Sequence, residues 1–540
     1  MKRMSAQEIG WSAVGKSGAV AAGGSEAVAA GIELLQSGGN AADAAAATIL
    51  ALSITDHGSF AIGGEVPFII YDAKRKEVKV LSGLGRAPLS QDAIDWYMEN
   101  GIPTDGDLKA APVPAAVDLC LTAVKLYGTK TFEDVVAPTL ALLDAGGRAW
   151  YPRLAVTLRK MIEAEQRATC AREGKLQAAA DRFYRGDIAA DLEAWYIAGG
   201  GFLREQDLAA HVTRVEDAVT VEYRGYTICK CGPWTQGPYL CQALRLLEGF
   251  DPKGMGHLSV VYVHVLAEAL KLAMADRDEY YGDPLFADVP LEALLSDAYT
   301  EIRRPLIDMQ AASTEVRPGD PRKLEPAKGP GQYRPGPGGT TTCVVADRWG
   351  NVVAATPSCN VSGDKGDGGV TGVTHGNRLR SLNTAKGHPN CIQPGKRPRI
   401  TLTPTLVLKE GKPILAISVA GGDLQDQTTL NILLNFVEFG MMPRDAVTAP
   451  RFSSQHHQNS FDPHPDREKA FVQTAGLTLS IGISQAVKDA LASRGHSVST
   501  TDRPIASPVM LYLDRETGTL YAAGDPAAGR HAAAIDEVPG

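Results

Sequence analysis

What this chain of 540 residues lacks narrows it first. It has no block of like charge, and its formal balance is only mildly acidic at −8. That excludes the basic face a nucleic-acid binder or a membrane-surface protein needs. Long apolar runs are missing too. The longest, around residues 44–54, is too short and too interrupted by threonine and serine to span a bilayer. The basic start, Met1-Lys2-Arg3-Met4, is followed by no apolar run of the kind a secretory signal requires, so a cytoplasmic protein is expected. The cysteines, Cys120, Cys170, Cys229, Cys231, Cys241, Cys343, Cys359 and Cys391, form no CxxC pair. Neither a zinc site nor a disulfide framework is indicated, and most of them read as buried thiols. No repeat of solenoid period is present.

What is there is a long globular chain able to bury a large core. Residues 25–38 carry Val28, Ile32, Leu34 and Leu35 at helical spacing and stop at Gly38-Gly39. An alanine-rich helix is predicted over 41–52. Residues 67–71 and 77–81 flank Asp72-Ala73-Lys74-Arg75 as a β-hairpin. A long helical region covers 114–204, followed by strands at 218–221 and 226–230 and helices at 237–247 and 259–281. Beyond residue 340, strands (341–346, 352–355, 405–409, 413–419) and helices (426–439, 482–492) alternate, ending in a strand pair at 509–514 and 520–523.

Between these halves, residues 311–339 are rich in proline, glycine and charge, and read as a solvated, mobile connector. An ordinary inter-domain linker has the same composition. The way this one ends is more specific. It runs into Gly338-Gly339-Thr340-Thr341-Thr342-Cys343-Val344-Val345-Ala346-Asp347, in which a threonine opens a β-branched strand closed by an Asp-x-x-Gly-Asn turn. Cutting the peptide bond before Thr340 would leave a hydroxyl and a free α-amine on one residue, a nucleophile with its own base. A self-processing amidohydrolase is therefore expected.

Ordered motifs over nearly the whole chain resemble the γ-glutamyltransferase family of N-terminal-nucleophile hydrolases. They are Gly38-Gly39-Asn40-Ala41-Ala42-Asp43, Asp56-His57-Gly58-Ser59-Phe60-Ala61-Ile62-Gly63-Gly64, Gly232-Pro233-Trp234-Thr235-Gln236-Gly237-Pro238, the Thr340 strand, Pro394-Gly395-Lys396-Arg397-Pro398 and Gly421-Gly422. The resemblance implies an α+β fold, a four-layer αββα sandwich, made as a precursor that cuts itself between Gly339 and Thr340. Residues 1–339 would form a large subunit and 340–540 a small one bearing the nucleophile. The family's fixed spacing from nucleophile to the aspartate of that turn, here Asp347, by resemblance selects Thr340 among the three threonines, and Thr341 would be one pleat out of phase. By resemblance, Gly421 and Gly422 supply oxyanion N–H groups, Ser358 hydrogen-bonds the nucleophile, and Asn360 binds substrate. No metal or organic cofactor is implied. Homodimeric and heterotetrameric assemblies are both left open.

The sequence also departs from the family pattern. Where the family has an arginine that clamps a substrate α-carboxylate stands Leu84, with Arg86 two residues later; an aspartate for the α-amino group falls at Ser381, and paired serines fall at Ile400 and Thr401. The usual amino-acid clamp is largely missing. Arg86, Arg378 and Arg380 are expected to crowd the same region and could hold an anionic acyl group without an α-amine, as an acylase or oxamate-type amidohydrolase would. They could equally make structural ion pairs.

Other signals carry less. Residues 10–17 match GxxxxGK[ST], but without the flanking strand and helix that motif needs. His456, His457 and His464 lack metal-ligand spacing and read as surface histidines. Cys343 and Cys359 read as packed strand residues rather than reactive thiols. Two other uses of the fold stay open: an uncleaved, non-catalytic scaffold, and lyase-like use of the same nucleophile on a carbon–carbon bond.

Overall fold

The computed structural model describes residues 9–327, 340–359 and 367–536. Two seven-stranded sheets, antiparallel throughout, lie face to face. In spatial order the first holds Ser12–Gly15, Leu520–Gly524, Ser507–Leu513, Lys412–Ala420, Thr405–Lys409, Tyr226–Lys230 and Val219–Tyr223. The second holds His531–Ile535, Gly18–Ala22, Cys343–Asp347, Val352–Ala355, Val66–Asp72, Glu77–Gly83 and Arg214–Asp217. Both sheets contain strands from before and after residue 340, so a cut there would divide one fold rather than separate two domains.

Period-two alternation explains the layering. Val344 and Ala346 pack between the sheets with Leu406, Ala416 and Val509. Cys343 and Val345, one residue out of phase, face the helical layer that includes Ser25–Gln36 and Ala41–Thr55. Helices Pro238–Leu247, Val260–Tyr280 and Gln425–Val437 cover the other sheet. The result is the four-layer αββα sandwich.

The early glycine- and alanine-rich motif is structural. Asn40 and Asp43 cap the helix Ala41–Thr55 reciprocally, and Asp43 also accepts from Thr129 N at 3.0 Å. Asp347 joins that helix to the strand above it. Its carboxylate accepts from Ala41 N at 2.9 Å, Trp349 N at 2.8 Å and Asn351 N at 3.0 Å.

Several expectations are corrected. The segment 311–327 is not a free connector: Arg317 donates to Glu268 at 3.2 Å, Gly319 N to Asp276 at 2.9 Å, and Ala312 N to Arg494 O at 2.7 Å. Arg317 and backbone groups of the segment, Ser313 O and Gly319 N among them, fasten it to the helix Val260–Tyr280, which its composition does not disclose. Residues 328–339 lie outside the described residues. His456 and His457 are buried, not on the surface, because their strand–loop turns inward beneath Phe471. Strands Ser12–Gly15, Gly18–Ala22 and His531–Ile535 carry no strand signal in sequence, being rich in alanine and glycine; burial between layers overrides their weak propensity. Residues 10–17 therefore pass from one sheet to the other and open no helix, which removes the phosphate-loop reading. Among the described residues no helix is long and apolar enough to cross a membrane.

Candidate active site

Thr340 leads into the strand Cys343–Asp347 and is 5% exposed. Its Oγ1 lies 3.3 Å from Ser358 Oγ. Thr341 points the other way: a Cβ on Gly23 would stand 2.1 Å from its Oγ1, beside Arg530 and Asp56. The pleat thus separates the two threonines as the sequence predicts. Ser358 is positioned by a two-way backbone pairing with Glu65, with N–H to O distances of 2.9 Å in both directions. Gly64 lets that happen, since a Cβ there would meet Ser358 O at 2.3 Å.

Arg378, completely buried, ties this corner together. Its Nε donates to Glu65 Oε1 at 2.5 Å and one terminal nitrogen donates to Ser358 Oγ at 2.5 Å. The other terminal nitrogen has no partner among the described residues. Burial pushes the Glu65 carboxyl up, and the Arg378 charge opposes that. Glu65 was not foreseen from sequence. Its signal was an acidic residue directly after Gly63-Gly64, in a segment otherwise apolar.

Phe461 forms the next wall. The Arg378 and Arg380 guanidinium groups each lie 5.4 Å from its ring centroid, and a Cβ on Gly422 would come within 3.0 Å of the ring. Gly422 has φ +60°, so both its backbone shape and its neighbour call for glycine. Burial lowers the pKa of Arg380, and the nearby Arg378 charge lowers it further. Two cations thus share one aromatic ring.

The Gly421-Gly422 loop is held from below by charge. Asp423 accepts from Arg277 at 2.6 Å and from Ser460 N at 3.0 Å, and Arg277 also donates to Gln236 at 2.8 Å. Gln236 in turn donates to Gly422 O at 3.3 Å. Burial pushes the Asp423 carboxyl up, but Arg277 and its cationic neighbours overcome this and hold it well below the usual carboxylate range. Gln236 belongs to the mid-chain motif read from sequence, so that motif serves the loop.

The structure brings together Thr340, Ser358, Arg378 and Gly422. Ser381 and Thr401 have buried hydroxyls without a partner among the described residues. Gly339 and Asn360 lie outside the described residues. Arg86 is a correction: it is half-buried and its charged neighbours are Arg214, Arg397 and Asp283, not Arg378 or Arg380. It follows a turn that buries Leu84 between the sheets and carries Arg86 toward the Asp283–Arg397 ion pair. Cys343 and Cys359 are buried, and burial pushes both thiols up, as expected of packed residues. One cluster of metal-type donors occurs among the described residues, His264, Glu268 and His496. Glu268 there already accepts from Lys271 at 2.5 Å and Arg317 at 3.2 Å. A divalent cation would face two positive side chains, so the donor set does not suit one.

Two antiparallel sheets between helical layers, with a threonine leading into a central strand beside a glycine-pair loop, define an enzyme of the N-terminal-nucleophile hydrolase class acting on amides. The model of the gamma-glutamyltranspeptidase family matches residues 27–169 and 151–535, and the chain belongs to that family. It is similar to the glutathione hydrolase proenzyme of Bacillus subtilis (strain 168), 29% identical over 97% of this chain and 92% of the relative. The acylase ACY 1 proenzyme of Pseudomonas sp. (strain SE83) is 29% identical over 92% of this chain and 90% of its own. In structure it resembles the cephalosporin acylase of Bacillus halodurans, with a TM-score of 0.81 and 25% identity, covering 99% of this chain and 98% of that one. The chain is thus an amidohydrolase or acyltransferase of this family.

Proposed function

We propose that this protein cuts itself between Gly339 and Thr340 and then hydrolyses amides whose acyl group is anionic and carries no α-amine. Residues 1–339 and 340–540 are the two subunits in this reading. The freed Thr340 amine, near pKa 7.7–8.0 when unperturbed, accepts the hydroxyl proton as Oγ1 attacks and delivers it to the leaving amine. Backbone N–H groups of Gly421 and Gly422 face the developing oxyanion. Asn360 and the hydroxyls of Ser381 and Thr401 line the acyl site in this reading.

The observation that carries the substrate class is the Arg378–Phe461–Arg380 stack beside Gly422. One nitrogen of Arg378 is left for a ligand, while Leu84 and Ser381 stand where cationic and anionic clamps for an amino acid would be. A carboxylate meets two guanidinium groups there, whereas an ammonium would be set against the same two cations with Glu65 already paired to Arg378. Similarity to an acylase proenzyme supports the same reading. The test is kcat/KM on glutaryl-p-nitroanilide against γ-glutamyl-p-nitroanilide. A preference for glutaryl of about tenfold or more, the cost of an α-ammonium left beside two cations without a partner, is expected. An equal or reversed preference contradicts it.

A further inference from the structure

The side chain of Gln425, wholly buried at the start of the helix Gln425–Val437, lies beside the nucleophile without a role in the scheme above. Its surroundings fix which end of the amide is which. The nitrogen faces two carbonyls, Val419 O at 3.1 Å and Thr401 O at 3.0 Å, and the oxygen faces Gly422 N at 3.3 Å. The opposite orientation sets oxygen against two acceptors and nitrogen against a donor. The end next to Thr340, 3.5 Å from Oγ1, is therefore an acceptor.

In the resting site that acceptor takes the Gly422 N–H at 3.3 Å and lies 3.5 Å from Thr340 Oγ1, whose hydroxyl donates to Ser358 Oγ at 3.3 Å. The Gly422 N–H is called away during the reaction. Acylation removes the hydroxyl hydrogen, and an oxyanion draws the Gly422 N–H from a long neutral bond into a stronger charge-assisted one. The nitrogen end stays pinned by its two carbonyls. A buried oxygen is then left without a donor, within reach of the acyl bond, and buried acceptors need one.

We propose that Gln425 positions the water that releases the acyl group, and so commits the enzyme to hydrolysis rather than transfer. This rests on the Thr340 reading. In the first step the Oγ1–carbon bond forms, the amide carbon–nitrogen bond breaks, and the hydroxyl proton passes through the α-amine to the leaving amine. In the second, one water hydrogen bonds Gln425 Oε1 while the α-amine takes the other. The water oxygen bonds the acyl carbon, the Oγ1–carbon bond breaks, and Oγ1 recovers the proton as the carboxylic acid leaves. A glutamine that orients an attacking water in this way has precedent in phosphoryl transfer.

The experiment uses the processed protein, glutaryl-p-nitroanilide and the variant Gln425→Leu. Self-cleavage into two fragments is its folding control. The nitroaniline burst should survive, steady-state turnover should fall about tenfold to a hundredfold, as for a misplaced reactant, and the fragment 340–540 should carry the glutaryl mass. Hydroxylamine should discharge it. Gln425→Glu, which keeps an oxygen there, should recover most of the turnover. In the native protein, millimolar glycylglycine should leave turnover unchanged, because water already holds the position. Burst and turnover falling together without an adduct, native-like turnover in Gln425→Leu, or acceleration of the native enzyme by glycylglycine overturns the proposal. The last of these needs no variant to fold. Nitroaniline release by Thr340→Ala would instead sink the threonine reading beneath it.

Discussion

Glu65 and Arg378, 313 residues apart in sequence, form a buried ion pair. They lie on opposite sides of the proposed cut, so the pair joins the two halves at the point where Ser358 meets Thr340. Two buried charges in this arrangement are far more sensitive to losing one partner than their mutual attraction suggests. Glu65→Ala, leaving a bare guanidinium, is expected to cost about 3–5 kcal/mol of stability and to abolish turnover. Urea unfolding of the variant measures the first, and an unchanged midpoint would contradict it.

Gly422→Ala is expected to fail for two separable reasons. The residue has φ +60° and a Cβ would press on Phe461 at 3.0 Å. Strain in that backbone region costs on the order of 1–3 kcal/mol, while displacing the N–H removes the proposed oxyanion donor, a loss typically of about 10²–10³ in kcat. The kinetic loss should therefore exceed what the stability loss explains. Phe461→Ala in the same background, which relieves the contact but not the φ, should restore stability only in part.

The charge beneath the loop gives a third expectation. Arg277→Met strands Asp423 in a buried site and should destabilise by about 3–5 kcal/mol. The double change with Asp423→Asn should recover part of that loss, because the uncompensated charge is gone. A double-mutant cycle reads the coupling directly. Additive losses would show that the two side chains do not act together.

Acid stability follows from buried histidines. Burial lowers His375, His456 and His496 to about 3 and His388 to about 4, against about 6.5 in an unfolded chain. Above pH 6.5 both states are neutral there, so these groups contribute no pH dependence. As pH falls below it the unfolded chain gains protons that the folded one refuses, and stability drops by about 1.4 kcal/mol per unit for each group. The urea midpoint should therefore be flat from pH 8 to 7 and fall steeply from about 6.5 toward 4. His375→Gln, keeping a partner for the Tyr196 hydroxyl now 2.9 Å from the ring nitrogens, should make the fall shallower. A midpoint insensitive to pH in that window would contradict this account.

How much of this was legible in the sequence depended on which force placed each residue. The Thr340 strand could be read because β-branched alternation and an Asp-x-x-Gly-Asn turn are local, and local geometry also separates Thr340 from Thr341. The long helices followed from periodicity in the same way. His531–Ile535 and Gly18–Ala22 could not be read, since alanine has little strand preference and only the sandwich makes them strands. Glu65 and Gln425 were silent for another reason. Each acts through a partner far away in sequence, and a lone acidic residue or glutamine carries no local pattern. Arg86 shows the converse failure: nearness in sequence to Leu84 suggested a site from which the turn carries it away.

The account rests on Thr340 becoming a nucleophile by losing its upstream neighbour, and intact-mass analysis of freshly purified protein tests that most directly. The native chain should yield two fragments, the second beginning at Thr340, while Thr340→Ala should remain one chain and release no nitroaniline. A native protein that turns over substrate while still whole, or a Thr340→Ala variant that cleaves and turns over as before, would contradict it.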